Sequence, residues 1–245
     1  MAVLAVDGET PVHVTVSFTS CGRAGTGGHG HDDCGSYEFW SGVPLVVDRG
    51  TGSYTGDVNK RELFRATRSH SVVELDSETQ NPPVEARPFR RHERAKPFLA
   101  RWDESGGGAI EVGHHAWCHL PGAVAALRHL ALGADGVLSV RDELTGTGHH
   151  RLALRIQWAP GLEPSKACLT PRGVSVPVWK GWREAAVLRV EAEGFQELEL
   201  ASEEVWHSPR QGLVVLAKTT VMRAETALPA RLEHSVAPPD EPSAA

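Results

Sequence analysis

The chain has 245 residues, of which 40% are hydrophobic and 23% are charged, an ordinary globular composition that excludes disorder along the whole chain. Acidic residues exceed basic ones, 31 to 25, and the formal charge of −6 provides no overall attraction to nucleic acid. The sequence contains no apolar run of about 18 residues, so we expect no membrane-spanning segment. The first ten residues also lack the basic and apolar regions of a secretion signal.

Short apolar segments separated by glycine and proline predict a protein built mostly from β-strands. Apolar and polar residues alternate in segments 12–18, 137–141 and 152–158. Runs rich in β-branched residues occupy 44–47, 71–75, 174–179, 186–190 and 213–216. This pattern is typical of a β-sandwich or a β-barrel. The composition of residues 123–132 favours a helix, but a turn and a strand follow directly, so both structures remain open.

Two segments depart from the strand pattern. Residues 81–105 are rich in proline and arginine and predict an irregular, solvent-facing excursion between strands. Residues 236–245 are rich in proline and lack hydrophobic periodicity, which predicts a disordered tail after a domain spanning 1–235.

The four cysteines form no CxxC pair, which makes a zinc ribbon or a thioredoxin-like motif improbable. Their spacing permits one or two disulfides, but small buried thiols are the simpler interpretation.

The densest group of polar residues lies at 27–33, Gly-Gly-His-Gly-His-Asp-Asp. His29 and His31 are two residues apart, so on an extended segment they point to the same face. Asp48 ends an apolar segment beside a glycine turn, and His70 opens another strand-like segment. Two imidazoles and a carboxylate suit Zn²⁺ with an open fourth position, so His31, Asp48 and His70 are candidate ligands. Surface or hydrogen-bonded histidines are the alternative, because the chain contains 13 histidines.

Sequence blocks between Gly27 and Gln80 resemble those of a known enzyme family. In order, they read GGHGHDD, SYEF, GVPLVVDRGTGSY, R..FRAT and SHSVVELD...Q. Together they resemble the C-terminal domain of the heparinase II/III-like polysaccharide lyases, and fainter similarity follows at 140–150 and 208–212. The resemblance implies an all-β fold, a two-layer antiparallel β-sandwich, and it favours a pair of strands over residues 123–132.

The resemblance also implies roles for individual residues. It places the family's structural zinc ligands at His31, Asp48 and His70, and it places a histidine that takes part in catalysis at His29. Tyr54 lies in the following glycine turn and is a second catalytic candidate, although packing of the ring in the turn is the alternative.

Arg90 and Arg91 lie in the arginine-rich excursion and are candidates for neutralising a polyanionic sugar chain. The alternative for this segment is a solvated charged loop.

Members of this family cleave acidic polysaccharides by β-elimination, in which a base removes the proton α to a uronate carboxylate and an acid protonates the leaving oxygen. Their main acid–base tyrosine and their carboxylate-neutralising groups come from an N-terminal helical toroid. We expect this chain to lack the toroid, which an upstream segment would encode, and to have little activity alone. The family implies the periplasm or the cell exterior. The alternative function is a non-catalytic, zinc-stabilised carbohydrate-binding module or a degenerate remnant.

Three positions depart from the family pattern. Arg49 replaces a proline, Gly52 replaces a tyrosine and Ser71 replaces an asparagine. The loss of the tyrosine predicts a thinner aromatic lining of the cleft, and Ser71 is expected to change a contact that supports His70.

Overall fold

The computed structural model describes residues 1–21, 27–170, 173–191 and 195–239, and it consists mainly of antiparallel β-strands. The first sheet has four strands, in the spatial order β1 (Ala2–Val6), β2 (Val12–Val16), β3 (Tyr37–Ser41) and β4 (Val43–Val46). The predicted alternation is confirmed in β2, where Val12, Val14 and Val16 are buried and the residues between them are half-buried.

The second sheet is the largest in the described part of the chain. Its hydrogen-bonded path runs through β13 (Glu163–Pro164), β15 (Gly173–Lys180), β16 (Arg183–Glu191), β19 (Ala230–Ala237), β11 (Leu138–Thr145), β10 (Ala125–Leu132), β9 (Ala109–His114) and β8 (Phe98–Asp103). A further strand, β14 (Cys168–Thr170), pairs with β15.

A third sheet and a hairpin complete the β-structure. The third sheet has the order β17 (Gln196–Arg210), β18 (Leu213–Ala227), β12 (His149–Gln157) and β5 (Val73–Leu75). The hairpin joins β6 (Pro83–Val84) and β7 (Arg87–Arg91).

Between β4 and β5 the chain forms a short helix, α1 (Val58–Arg65), that the sequence pattern does not predict. The Asp57 side chain caps it by accepting a hydrogen bond from Lys60 N at 3.0 Å, which satisfies one of the free amides at the helix start. The buried face of α1 consists of Arg61, Phe64 and Arg65. A turn of 3₁₀ helix follows and leads directly into His70.

The sheets pack around a continuous hydrophobic core, which confirms the antiparallel β-sandwich. Val14 and Phe39 come from the first sheet, Val140 from the second and Leu154 from the third, and each has at most 2% of its surface exposed. Trp158 is also buried, and its indole nitrogen donates to Thr220 Oγ1 at 2.8 Å. Alternating side chains of antiparallel strands thus meet in one interior.

Several sequence predictions need correction. The segment 123–132 forms neither a helix nor a pair of strands: most of it is one strand, β10, which pairs with β9 and β11. The segment 81–105 is not irregular throughout, because it contains β6, β7 and β8.

The predicted tail starts too early, since Val236 is fully buried in β19. The residues at 240–245 lie outside the described part of the chain.

All four cysteines are free thiols. Cys21 and Cys34 are buried, as the simpler interpretation predicts, whereas Cys118 and Cys168 are exposed. Among the described residues, no helix is long and apolar enough to cross a membrane.

Candidate active site and metal centre

The fold brings together the three residues that the sequence nominates as metal ligands. His31 lies in the glycine-rich segment, Asp48 follows β4, and His70 follows the 3₁₀ turn after α1. One possible ligand atom from each residue lies within 4.8 Å of the other two. His70 Nδ1 and Asp48 Oδ2 are 2.6 Å apart, and the imidazole centroids of His31 and His70 are 5.3 Å apart.

The electrostatics of Asp48 and His31 suit cation binding. Burial opposes ionisation of Asp48, but the charge and hydrogen bond of His70 outweigh burial and lower the pKa of Asp48 to about 2. Burial also opposes the charged form of His70, yet Asp48 raises the His70 pKa overall. Burial and then repulsion by His70 lower the pKa of His31 to about 3. At neutral pH, Asp48 is therefore a carboxylate and His31 a neutral imidazole, the forms that bind metal ions.

The donor atoms also fit a metal ion. His70 Nε2 is buried and has no hydrogen-bond partner among the described residues, and an unsatisfied buried polar atom costs about 1–3 kcal/mol. Asp48 Oδ1 accepts a hydrogen bond from Gly50 N at 2.7 Å, which fixes the carboxylate. Two imidazoles and one carboxylate form a donor set that zinc accepts.

Helix α1 positions the glycine-rich segment that carries His29 and His31. Arg65 Nε donates to Gly30 O at 2.8 Å, and Arg61 donates through Nη2 to Gly28 O. The two arginines can act together because residues four apart lie on one face of a helix.

Close backbone packing also explains a glycine in this segment. A Cβ atom at Gly27 would lie 2.9 Å from Cys21 Sγ and 3.2 Å from Cys21 O, so a side chain at this position would require the segment or Cys21 to shift.

His29 and Tyr54, the two catalytic candidates, form a hydrogen-bonded pair. His29 Nε2 and Tyr54 Oη are 2.9 Å apart, and the stacked rings have centroids 5.0 Å apart. Both residues line a small cavity of about 50 Å³, together with His31 and Arg61. A hydroxyl and an imidazole at this distance can share a proton and pass it to a bound group.

Arg61 and Phe89 lie beside this pair, and the sequence alone indicates no role for either. The Arg61 guanidinium carbon lies 4.6 Å from the Tyr54 ring centroid and 4.2 Å from that of Phe89. Arg61 Nη1 also donates to Tyr54 O at 2.9 Å. The spacing of Arg61 and Arg65 within the R..FRAT block is the one sequence signal that marks Arg61.

The two candidate substrate-binding arginines differ in exposure. Arg90 is exposed on β7. Contrary to the sequence prediction, Arg91 is only 3% exposed. Its Nη1 lies 2.8 Å from Asp32 Oδ2, and its Nη2 lies 2.8 Å from Glu62 Oε2. The Arg91 guanidinium is therefore engaged in tying β7 to α1 and the glycine-rich segment, and Arg90 is the one of the two that faces solvent.

The family departure at Arg49 contributes to the framework of the site. The Arg49 side chain is buried, and it donates through Nε to Trp206 O at 2.7 Å and through Nη1 to Ser69 Oγ at 3.1 Å. It thereby links the loop after Asp48 both to β17 and to the residue before His70.

The other two departures have local consequences. Gly52 has φ +65°, and a Cβ atom there would lie 2.3 Å from Phe64 Cε2, so Phe64 occupies space that a side chain at 52 would need. The Ser71 hydroxyl accepts a hydrogen bond from Gln157 N at 3.1 Å, which attaches it to the end of β12.

His207 is a further residue near the site, and the sequence pattern does not indicate it. It is 8% exposed, and its Nδ1 has no hydrogen-bond partner among the described residues. Burial lowers its pKa, while the charge of Asp48 opposes the shift. The backbone beside it is fixed, since Ser208 N donates to Arg49 O at 2.7 Å. Because His207 lies so far from Asp48 in sequence, only the fold reveals their proximity.

Comparison with known proteins agrees with this fold. The family model of the heparinase II/III-like C-terminal domain matches residues 5–238. A heparinase III gene product has a TM-score of 0.73 and 15% identity, over 97% of this chain and 34% of that chain. Heparan sulfate lyase HepC from Pedobacter heparinus has a TM-score of 0.71 and 17% identity, over 96% of this chain and 34% of that chain. A structure of heparinase III has a TM-score of 0.70 and 14% identity, over 96% of this chain and 35% of that chain.

No curated protein sequence matches the chain at a significant level. The chain spans about a third of the length of the solved chains above. The family match extends over nearly the whole sequence, and the sandwich is the fold that the resemblance implies. The chain therefore belongs to the heparinase II/III-like C-terminal domain family.

Proposed function

We propose that this chain forms the β-sandwich part of a lyase that cleaves uronic-acid-containing polysaccharides by β-elimination. The observation that supports this most directly is the 2.9 Å contact between His29 Nε2 and Tyr54 Oη in a cavity beside His31. Membership of the family supports the reaction class. The solved structures with this fold include proteins described as heparinase III and as a heparan sulfate lyase.

In this proposal, His29 and Tyr54 hold and move a proton next to the sugar chain. β-Elimination requires one group that removes the proton α to the carboxylate and one that protonates the leaving oxygen. The neutral His29 imidazole would take up the proton α to the carboxylate, while the Tyr54 hydroxyl protonates the leaving oxygen at Oη; the imidazolium then returns its proton from Nε2 to the tyrosinate, which restores both groups. Stacking of the two rings keeps Tyr54 Oη and His29 Nε2 within hydrogen-bond distance.

We also propose that His31, Asp48 and His70 bind a zinc ion with a structural role. When bound, the ion supplies a fixed positive charge that cross-links three loops. His31 is two residues from His29, so fixing His31 restricts the position of the catalytic histidine. The orphaned Nε2 of His70 and the ionised Asp48 support this assignment.

The partners follow from the same reasoning. The substrate is an acidic polysaccharide, and exposed Arg90 is placed to contact it from β7. Because the chain spans about a third of the similar lyase structures, we propose that a helical toroid domain supplies the remaining acid–base and carboxylate-neutralising groups. The proposed location is the cell envelope or the exterior, where such polysaccharides occur.

Product formation from heparin, heparan sulfate and alginate tests the lyase function, with the full-length product of the gene as the enzyme. Unsaturated uronate is detected by its ultraviolet absorbance. We expect His29→Gln and Tyr54→Phe to lower the rate by about 10²–10⁴-fold, the range for loss of an acid–base group. The control is His92→Gln, because His92 is exposed on the protein surface.

Two results would contradict the proposal. One is full activity in both variants of the catalytic pair. The other is polysaccharide binding by the wild type without any unsaturated product, which would favour the non-catalytic carbohydrate-binding module.

A further inference from the structure

Arg61 is a buried cation that has no carboxylate within ion-pair distance among the described residues. Its side chain is only 1% exposed. Two of its nitrogens donate to main-chain oxygens, those of Tyr54 and Gly28. The third nitrogen, Nε, is buried without a hydrogen-bond partner in the described part of the chain. Since an uncompensated buried charge is strongly destabilising, this guanidinium is suited to an anionic partner.

The ion pairs around α1 do not neutralise Arg61. Arg91 pairs with both Asp32 and Glu62, each at 2.8 Å, and Arg65 pairs with Glu62 at 3.2 Å. Three guanidinium groups therefore share two carboxylates, which leaves one positive charge in the cluster. That charge resides on Arg61, because the other two arginines already have acidic partners.

The cavity beside Arg61 has the size of a small oxyanion. Its volume is about 50 Å³, several times the roughly 10–15 Å³ that one water molecule needs. A carboxylate or sulfate group, which is a few heavy atoms in size, matches this space. Arg61 and Arg65 line the cavity together with His29 and Tyr54, so a bound anion would contact both the cation and the proposed catalytic pair.

Two aromatic rings prepare Arg61 for directional binding. Its guanidinium carbon is 4.6 Å from the Tyr54 centroid and 4.2 Å from the Phe89 centroid. Aromatic contacts occupy the faces of the guanidinium. Nη1 and Nη2 each use one N–H for a main-chain oxygen, so the second N–H of each and Nε remain for charge-assisted hydrogen bonds to an oxyanion.

We propose that this Arg61 cavity binds an oxyanion of the sugar chain, a carboxylate or a sulfate group. The inference rests on the proposed function, and it adds a site for an acidic group of the substrate beside His29 and Tyr54. Arg61 thus makes the sandwich selective for acidic over neutral sugars.

The test is direct binding to the purified chain by isothermal titration, with thermal melting as a second readout. The probes are sodium glucuronate and glucosamine 6-sulfate, with glucose as the neutral comparison, all at one ionic strength maintained with sodium chloride. We expect at least one charged sugar to bind and raise the melting temperature, while glucose does neither.

Arg61→Met should weaken binding of the charged sugar by about tenfold or more, as expected for loss of a charge-assisted hydrogen bond. Arg61→Lys keeps the charge without the planar edge and should retain intermediate affinity. The matched control is Arg87→Met, because Arg87 is an exposed arginine on β7, and it should bind like the wild type.

Each outcome decides the inference. Glucuronate binding alone identifies a carboxylate site, and binding of the sulfated sugar alone identifies a sulfate site. If neither charged sugar exceeds glucose, or if Arg61→Lys and Arg61→Met bind with wild-type affinity, the inference is wrong.

If Arg61→Met does not fold, the titrations of the wild type and of Arg61→Lys with the charged sugars and glucose still test the inference. If the charged sugar binds but the full-length protein has no lyase activity, the Arg61 site is supported and only the proposed lyase function is contradicted.

Discussion

Replacement of Arg91 by methionine tests whether this arginine holds the site together. The substitution keeps most of the side-chain volume but removes the partner of Asp32, which is fully buried. Breaking a buried ion pair by removing one partner costs about 3–5 kcal/mol. A domain of this size loses about 2–4 °C of melting temperature for each kcal/mol of unfolding free energy that is lost. We therefore expect the melting temperature to fall by about 6–20 °C at pH 8.

The pH dependence separates this ion pair from simple loss of packing. Burial raises the pKa of Asp32 to about 6, and the charge of Arg91 opposes that shift. Without Arg91 the pKa of Asp32 rises further, so the folded variant takes up a proton as the pH falls below that raised value. A carboxyl group with a raised pKa in the folded state favours folding at low pH, and the favourable contribution is lost as the pH rises through the folded pKa.

The destabilisation by Arg91→Met should therefore be smaller at pH 5 than at pH 8, as measured by urea unfolding at both values. Arg90→Met is the control, and as an exposed substitution it should change stability by less than about 0.5 kcal/mol. In a double-mutant cycle with Asp32→Asn, the two sites should couple by about 0.5–3 kcal/mol. If Arg91→Met lowers the free energy of unfolding by less than about 1 kcal/mol, or by the same amount at pH 5 and pH 8, the proposed ion pair is refuted.

Three further predictions concern metal, activity and backbone. Purified protein should contain about one zinc per chain, and a chelator should lower its melting temperature but leave that of His31→Gln unchanged; elemental analysis without zinc would contradict this. The isolated chain should form little unsaturated uronate from heparan sulfate, and rapid product formation would show that it needs no toroid. Gly52→Ala should destabilise more than Gly212→Ala in urea unfolding, because both glycines have positive φ but a Cβ atom at Gly52 alone meets Phe64; equal losses would refute the clash.

The sequence predicts the sandwich because the alternation of side chains along a strand is a local pattern. In β2, the alternation of apolar and polar residues matches the alternation of buried and half-buried side chains, because successive side chains of a strand point to opposite faces. His31, Asp48 and His70 are recognisable because they lie in motif blocks whose order resembles that of a known family. Their mutual approach within 4.8 Å is what such a resemblance predicts.

Segments whose structure depends on distant partners are less predictable. Residues 123–132 are rich in alanine and leucine, which favours a helix. Pairing with β9 and β11 outweighs that preference, and Arg128 then reaches Asp142 through two hydrogen bonds of 2.7 and 2.8 Å. Helix α1 has only eight residues, so its stability depends on tertiary contacts rather than on helix propensity.

The chemical roles of the arginines also need the fold. Arg90 and Arg91 are neighbours in sequence, yet on a strand they point to opposite faces, and only Arg91 is buried. The proposed role of Arg61 depends on Tyr54, Phe89 and the main chain of Gly28, which lie in separate segments. Sequence spacing cannot indicate that these groups enclose one cation.

The most direct measurement of the central claim is the initial rate of uronate elimination by the full-length protein carrying His29→Gln, with zinc content and melting temperature recorded on the same sample. The proposed role of the His29–Tyr54 pair predicts a rate about 10²–10⁴-fold below that of the wild type, with the zinc content and the melting temperature retained. A variant that degrades the polysaccharide as fast as the wild type would contradict it.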